Sequence, residues 1–584
     1  MLINGLEKSL RDNCRVNNVK GIIVMKSVLK VIFLVFVSCM PLQKALADLN
    51  GNSDIIQDGT LIAGTDEKLV NLNQGWTQAD QSGFWYRGDG SLIIRYEWFL
   101  NLEQADSEEL FRSDANIEKL RYTPIPKSQW NPDGLPAGFA KNYDSIGRDN
   151  YMALSCGGCH STKIAYKGTS MVINGAATMG DFQTLMLELE QAMQATLSND
   201  VKFERFAKRI LGQAYSVNAS EQLRTEFVEG TKHQQEFNHN NRTPAKFGFG
   251  RVDAFAYAYN NIGVNFLGIP ENHIPGVAPA NYNYIWGSAQ SDVLQWNGMA
   301  PNTPPIAPIF RVLGDVWGGG GYANMRGSRW LPGYESTADF KGLGDMLAWV
   351  KVLQSPRWPE TILPRIDVIK AAKGREIYDA TCAKCHQLLL TRKEQMKPYS
   401  AVMVPQKEVK TDKAELVLVE ESVQKTGFLE GTKMFYFAGK KLGPTTQAKN
   451  LLNIASIGAM IRHPLETIAE GLRGFTGTLG KLNKNTYEYK ARPLNGIWAT
   501  SPFLHNGSVP NLYQLLLPAA ERESVFYTGD REFDPKVVGQ ISDKKDGLFK
   551  FDTTIYGNSN AGHEYGVKLS DEERFELIEF IKTL

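Results

Sequence analysis

The sequence predicts a mainly α protein with many loops, built as two similar halves that each carry large loop insertions. Three observations predict it. A five-residue cysteine motif occurs twice, at 156–160 and at 382–386; a similar run precedes each copy; and the 584 residues include 53 Gly and 26 Pro, enough turn-formers for a loop-rich shell. With 42% hydrophobic, 10% aromatic and 22% charged residues the composition is that of a globular chain long enough for two or three domains, which excludes a disordered or fibrous protein. Lys plus Arg total 64 against 63 Asp plus Glu, so nothing points to a nucleic-acid-binding surface.

Taken in chain order, residues 1–47 read as an export signal. Seven basic residues face only Glu7 and Asp12, the run from Val31 to Met40 carries Ser38 as its one polar residue, and Ala45-Leu46-Ala47 supplies a small-x-small cleavage site before Asp48. The apolar run is about half of the ~20 residues that span a bilayer, so no permanent membrane span is expected. Met25-Lys26 is a more usual start for such a signal than Met1, and Cys39 lacks the neighbours of a lipid-attachment site. Removing the signal leaves a mildly acidic chain with a net charge of about −4, expected to be periplasmic or secreted. An N-terminal extension follows over 48–130, a first domain over 131–345, a linker over 346–364 containing Ser355-Pro356-Arg357-Trp358-Pro359, and a second domain over 365–584.

Six cysteines are present, and Cys14 and Cys39 leave with the signal. The four that remain stand in Cys156-Gly157-Gly158-Cys159-His160 and Cys382-Ala383-Lys384-Cys385-His386. An exported chain with no cysteine to spare for a disulfide is unusual, so all four have a dedicated task. Two thiols three positions apart on one helical turn reach the two vinyl groups of one porphyrin, and the adjacent His then ligates its iron, which is the attachment pattern of haem c. Zinc held by two C-x-x-C pairs leaves the two histidines unexplained, and a thioredoxin-like redox pair has no use for them. The cofactors expected are therefore two covalently bound haem c groups, on Cys156, Cys159 and His160 and on Cys382, Cys385 and His386, and the two halves are expected to be cytochrome c-like haem domains. A calcium ion between the haems is left unsupported by the sequence.

The runs Gly147-Arg148-Asp149-Asn150-Tyr151 and Gly374-Arg375-Glu376-Ile377-Tyr378 predict the same first helix leading into each haem. At the other end, Ser570 and Glu573 form a capping box ahead of the stripe Phe575, Leu577, Ile578, Ile581 and Leu584, which predicts a closing helix. Each iron needs at most one more ligand, and whether that place is filled separates an electron carrier from an enzyme. No Met follows Met460; His463, His505, His563 or a tyrosine remain, with Met403, Met434 and Met460 as earlier alternatives. His563 is favoured as iron ligand because the small-residue loop Gly557-Asn558-Ser559-Asn560-Ala561-Gly562 lets it approach the porphyrin. His505 is expected to support the pocket by hydrogen bonding, and His463 precedes Pro464 as helix punctuation.

Between Phe255 and Trp296 lie Phe255, Tyr257, Tyr259, Phe266, Tyr282, Tyr284, Trp286 and Trp296, well above the chain's mean aromatic density. Each ring alone is more often core than pocket, but together they favour an apolar environment at the first haem. Trp286 and Trp296 are the candidates there for distal packing or an inter-haem electron relay, and His273, Glu271, Asp253 and Asp292 are the acids and bases available for O–O heterolysis.

The stretch from Arg492 to Leu512, the run Tyr527 to Phe533 and the segment Gly557 to Gly566 resemble the rubber oxygenase branch of the dihaem cytochromes c. That branch is similar to the bacterial dihaem cytochrome c peroxidases and the tryptophylquinone-forming enzymes, and it includes dihaem dioxygenases of unsaturated fatty acids. The resemblance covers roughly 90–584. It implies that the haem at His160 keeps an open distal side for dioxygen, while the haem of His386 and His563 is bis-histidine and serves electron transfer or structure. It further implies oxygenation or cleavage of a hydrophobic unsaturated substrate, a fatty acid or polyisoprene. Hydrogen peroxide reduction, fed by a small periplasmic electron donor, is the first alternative, although the missing late Met departs from the Met-ligated peroxidases. A non-catalytic dihaem electron carrier is the second.

Overall fold

Between two runs rich in β-branched residues, Lys167 and Gly168 both take positive φ, 47° and 79°, the geometry of a two-residue hairpin turn. The same logic acts earlier in the chain. Asp144 accepts a hydrogen bond from the Ile146 amide (2.8 Å) and Arg148 has a φ of 59°, so Ser145–Arg148 reverses the chain between two strands. These turns set two hairpins around the first cysteine motif: β1 (Phe139–Asp144) with β2 (Asp149–Leu154), and β3 (Ser161–Tyr166) with β4 (Thr169–Asn174). Ile94–Arg95 adds a third strand to the first hairpin, and Lys68–Asn71 pairs parallel to β4 in a four-stranded sheet.

The computed structural model describes residues 54–584, apart from 63, 65–67, 304, 329, 478–479 and 481–486. The expected export signal lies outside the described residues. Residues 56–584 pack as one compact unit. Among the described residues no helix is long and apolar enough to cross a membrane.

The expectation of a mainly α protein made of two cytochrome c-like haem domains is corrected by the structure. Among the described residues helix makes up 39% and strand 17%, and the strands fall in nine small sheets. The run 147–151, expected to be helical by analogy with 374–378, is a turn entering β2, because the Asp144 turn and the Tyr151-Met152-Ala153-Leu154 run favour a hairpin. Its counterpart is helical. The core also ignores the boundary between halves: one apolar cluster joins Leu69, Ile164 and Val172 to Trp286, Trp358, Trp498, Phe533 and Leu577.

Among the helices around the two cysteine motifs are α1 (Ala307–Gly318), α2 (Phe340–Val352), α3 (Val368–Thr381) and α4 (Asp571–Lys582). The capping box at Ser570 and Glu573 is present, with Glu573 accepting from the Ser570 amide at 2.7 Å, and Leu577, Ile578, Ile581 and Leu584 are buried. Helices α3 and α4 touch at Gly374, where any Cβ would lie 1.9 Å from the Glu576 carbonyl oxygen. Only glycine allows that approach.

Candidate functional site

β2 runs into Ser155, whose hydroxyl caps a single helical turn, Cys156–Cys159, by accepting from the Gly157 amide (3.1 Å). The same hydroxyl lies 2.9 Å from the Trp85 carbonyl, which fixes the turn to the preceding layer. β3 leaves immediately after His160. The turn therefore hangs between two strands, and both thiols and the imidazole face one cavity of about 250 Å³. Burial pushes the Cys159 thiol up to about 12 and the Cys156 thiol well above its ordinary value. His160 Nδ1–H donates to the Asn283 carbonyl at 2.8 Å. A carbonyl can only accept, so the tautomer is settled and Nε2 is left with a free lone pair. Burial lowers this imidazole to about 4, so it is neutral near pH 7 and fit to ligate a metal.

The second motif sits at the end of α3, with Cys382 as its C-cap. His386 Nδ1–H donates to the Arg492 carbonyl at 2.7 Å, and the Tyr378 hydroxyl donates to the His386 carbonyl at 2.8 Å. Burial raises the Cys382 thiol to about 11 and lowers His386. His563 faces His386 across a second cavity of about 200 Å³, with ring centroids 6.1 Å apart. Two metal–imidazole bonds of about 2.0–2.1 Å plus the two ring radii give roughly 6 Å, a spacing at which His386 and His563 would together suit a shared metal. Gly562, at φ 76°, makes this approach feasible: a Cβ there would meet backbone atoms of residues 409–411 at 2.4 Å. His505 lines the same cavity, stacks on Tyr489 (4.2 Å) and lies 3.0 Å from its hydroxyl. That hydroxyl donates to the Asp412 carbonyl, so His505 Nε2–H is the donor to Tyr489. His463 lies away from both cavities, between two helices and against Phe340.

The first cavity differs in kind. His160 is the only imidazole among its lining residues, and Met346 the only thioether, with Sδ 3.2 Å from Cys156 Sγ. Phe182, Phe255, Leu343, Leu347 and Val350 give it an apolar wall. Of the eight aromatics expected near the first haem, Phe255, Tyr257, Tyr282 and Trp296 line this cavity. Trp286 lines neither cavity, whereas Trp296 lines both. Of the four expected acids and bases, only Asp253 reaches the lining, and both its oxygens accept backbone amides, of Ala256 and Ala278. Asp89, Asp315, Glu415, Arg311, Lys490 and Arg492 also line it, and sequence reasoning missed all six. Burial, then the neighbouring Asp89, raises Asp315 to about 7, and burial, then Asp253, raises Glu415 to about 8. The six come from four separate stretches of chain with no local pattern, so only their burial could have flagged them.

A strap connects the two turns. The Tyr284 hydroxyl donates to the Pro493 carbonyl (2.6 Å), Trp286 Nε1–H donates to the Asn495 carbonyl (2.7 Å), and the Arg492 guanidinium lies 3.6 Å from the Tyr284 ring centre. The carbonyls that orient the two motif histidines thus belong to two segments tied side by side. The donor set of each motif, two thiols and a neutral imidazole beside a cavity, fits a covalently attached haem c.

Comparison with known proteins agrees with that donor set. Residues 488–527, which include Arg492 and His505, match the family described as RoxA-like, cytochrome c-like. An uncharacterized protein y4iJ of Sinorhizobium fredii is 28% identical over 578 residues, covering 89% of this chain and 94% of that protein. A second protein of that organism, y4iM, is 23% identical over 323 residues, covering 51% of this chain and 63% of that protein. The matched segment is cytochrome c-like, which implies covalently bound haem c and supports a haem c oxidoreductase.

Proposed function

We propose that this protein is an exported dihaem c-type oxidoreductase that activates dioxygen at the His160 haem to oxygenate or cleave an unsaturated hydrophobic substrate, a fatty acid or polyisoprene. One observation carries the proposal: the cavity at His386 holds a facing imidazole, His563, while the cavity at His160 holds none among its lining residues. A haem held by His160 and left open on its other side would supply activation of oxygen or peroxide, and one held by His386 and His563 would supply electron transfer. The protein's own part is to bind and exclude. Phe255, Leu343, Leu347 and Val350 offer a hydrocarbon an apolar wall and keep water from the reacting atoms. Asn283 and Arg492 orient the two motif histidines through their carbonyls.

A second reading, hydrogen peroxide reduction with electrons from a small periplasmic donor, is favoured by Asp315 and Glu415. Both are held near neutral pKa by burial, and both line the cavity as proton donors of the kind that assist O–O cleavage. The test is to reduce the purified holoprotein, add carbon monoxide, and then compare oxygen uptake on linoleate and polyisoprene with peroxide turnover. Carbon monoxide on one haem in two, with oxygen uptake, is the expected result; peroxide turnover alone selects the second reading. Two six-coordinate haems inert to carbon monoxide overturn both and leave an electron carrier.

A further inference from the structure

Arg311, Lys490 and Arg492 are basic side chains with 6%, 7% and 6% exposure. All three line the first cavity, and Lys490 and Arg492 line the second as well. Part of their donor capacity is unused: Arg311 Nε and Nη1 and Arg492 Nε are buried without a hydrogen-bond partner, Arg492 Nη2 makes a long 3.5 Å bond to the Trp286 carbonyl, and Lys490 Nζ donates to the Val293 carbonyl at 3.1 Å. Burying like charges together is costly unless anions or acceptors complete the set. Asp315 and Asp292 act on Arg311 and Lys490 respectively, but neither is hydrogen-bonded to them. Asp315, one turn along α1 from Arg311, is raised to about 7 by burial and by Asp89, and Asp292 is engaged by the Ala401 amide. Burial, with Arg492 and Arg311 nearby, lowers Lys490 well below its usual value. Two guanidinium forks and a lysine amine on the wall of the first cavity, two of the three shared with the second, have the donor chemistry that carboxylates accept.

We propose that Arg311, Lys490 and Arg492 form a buried cradle for carboxylates on the wall of the first cavity, with Lys490 and Arg492 reaching its border with the second. Two sources share this chemistry, the propionates of the haem groups and the head group of a fatty-acid substrate. The inference rests on the dihaem reading, and it deepens that reading by assigning the side chains that would hold an acidic group.

The experiment uses the full holoprotein and Arg311→Met, Lys490→Met and Lys490→Arg. Haem content and thermal unfolding are recorded first, then the reduction potential of each haem without lipid, then binding of oleate followed by the absorption of the first haem. If the cradle holds propionates, loss of a cation favours the oxidised form. The reduced-to-oxidised ratio at fixed potential then falls about tenfold, about 59 mV for one electron, with oleate affinity unchanged. Lys490→Met is expected to shift both haems and Arg311→Met only the first, while Lys490→Arg stays close to the parent. If the cradle holds a fatty-acid carboxylate, the potentials without lipid stay put and oleate affinity drops tenfold or more. Unchanged potentials together with unchanged oleate affinity overturn the proposal. Should Lys490→Met fail to mature, Arg311→Met decides the same question. A chain carrying one haem instead of two would break the dihaem reading while leaving the Arg311 result interpretable.

Discussion

His563 is a non-glycine residue at φ 53°, held there by its amide, which donates to the Val409 carbonyl at 2.8 Å. Left-handed backbone at such a residue costs of order 1–3 kcal/mol and persists where the surroundings over-determine it. The observation fits a side chain recruited for a task, and His563→Ala is expected to turn the second haem high-spin and open to carbon monoxide. Retention of a low-spin, carbon monoxide-inert second haem in electron paramagnetic resonance would show that another group binds the iron. His505 makes a different prediction. Burial lowers it to about 3, so the folded state holds it neutral while the unfolded state protonates near pH 6.5. Its contribution is complete above that pH and is lost progressively on acidification towards pH 3. Between pH 7 and 5 that amounts to about 2 kcal/mol, readable as a shift in urea midpoint that His505→Gln should largely abolish.

At the scale of elements, α3 and α4 meet through Gly374, and Gly374→Val should destabilise by about 3 kcal/mol or more, since the backbone opposite cannot yield. Equilibrium unfolding in urea measures it, and a loss under about 1 kcal/mol would show that the helices slide apart freely. The closing helix was legible because its capping box and stripe are local patterns, as are the two cysteine turns. The β2 segment was not: its resemblance to residues 374–378 is a match of letters, and the Asp144 turn beside it outweighs helix propensity. Lys167-Gly168 carried a hairpin signal that motif spacing overshadowed. Trp286 was singled out as an aromatic near the haem, and its indole instead bonds Asn495 in the strap.

For the whole molecule, the shared apolar core decides what can exist alone. Trp498, Phe533 and Leu577 pack with Leu69, Ile164 and Val172, so residues 365–584 expressed by themselves would expose one side of that cluster. Such a fragment is expected to bind a hydrophobic dye and to lack a cooperative thermal transition; a sharp transition would show that the second half is self-sufficient. Trp498→Ala in the full chain should cost about 3–5 kcal/mol, measured by the same urea titration. Long-range assembly is also why the charged lining of the first cavity was invisible in the sequence: Asp89, Arg311, Glu415 and Lys490 come from four distant segments.

The strap has a consequence for descent and design. Arg492 orients one motif histidine with its backbone and presses its side chain on Tyr284, the neighbour of the residue that orients the other. The two halves are therefore expected neither to transplant into a foreign scaffold nor to drift independently, because a change at this joint reaches the mounts of both motif histidines at once. Substitutions at 284 and 492 should be inherited as a pair, and a chimera that takes them from different parents should disturb both sites together.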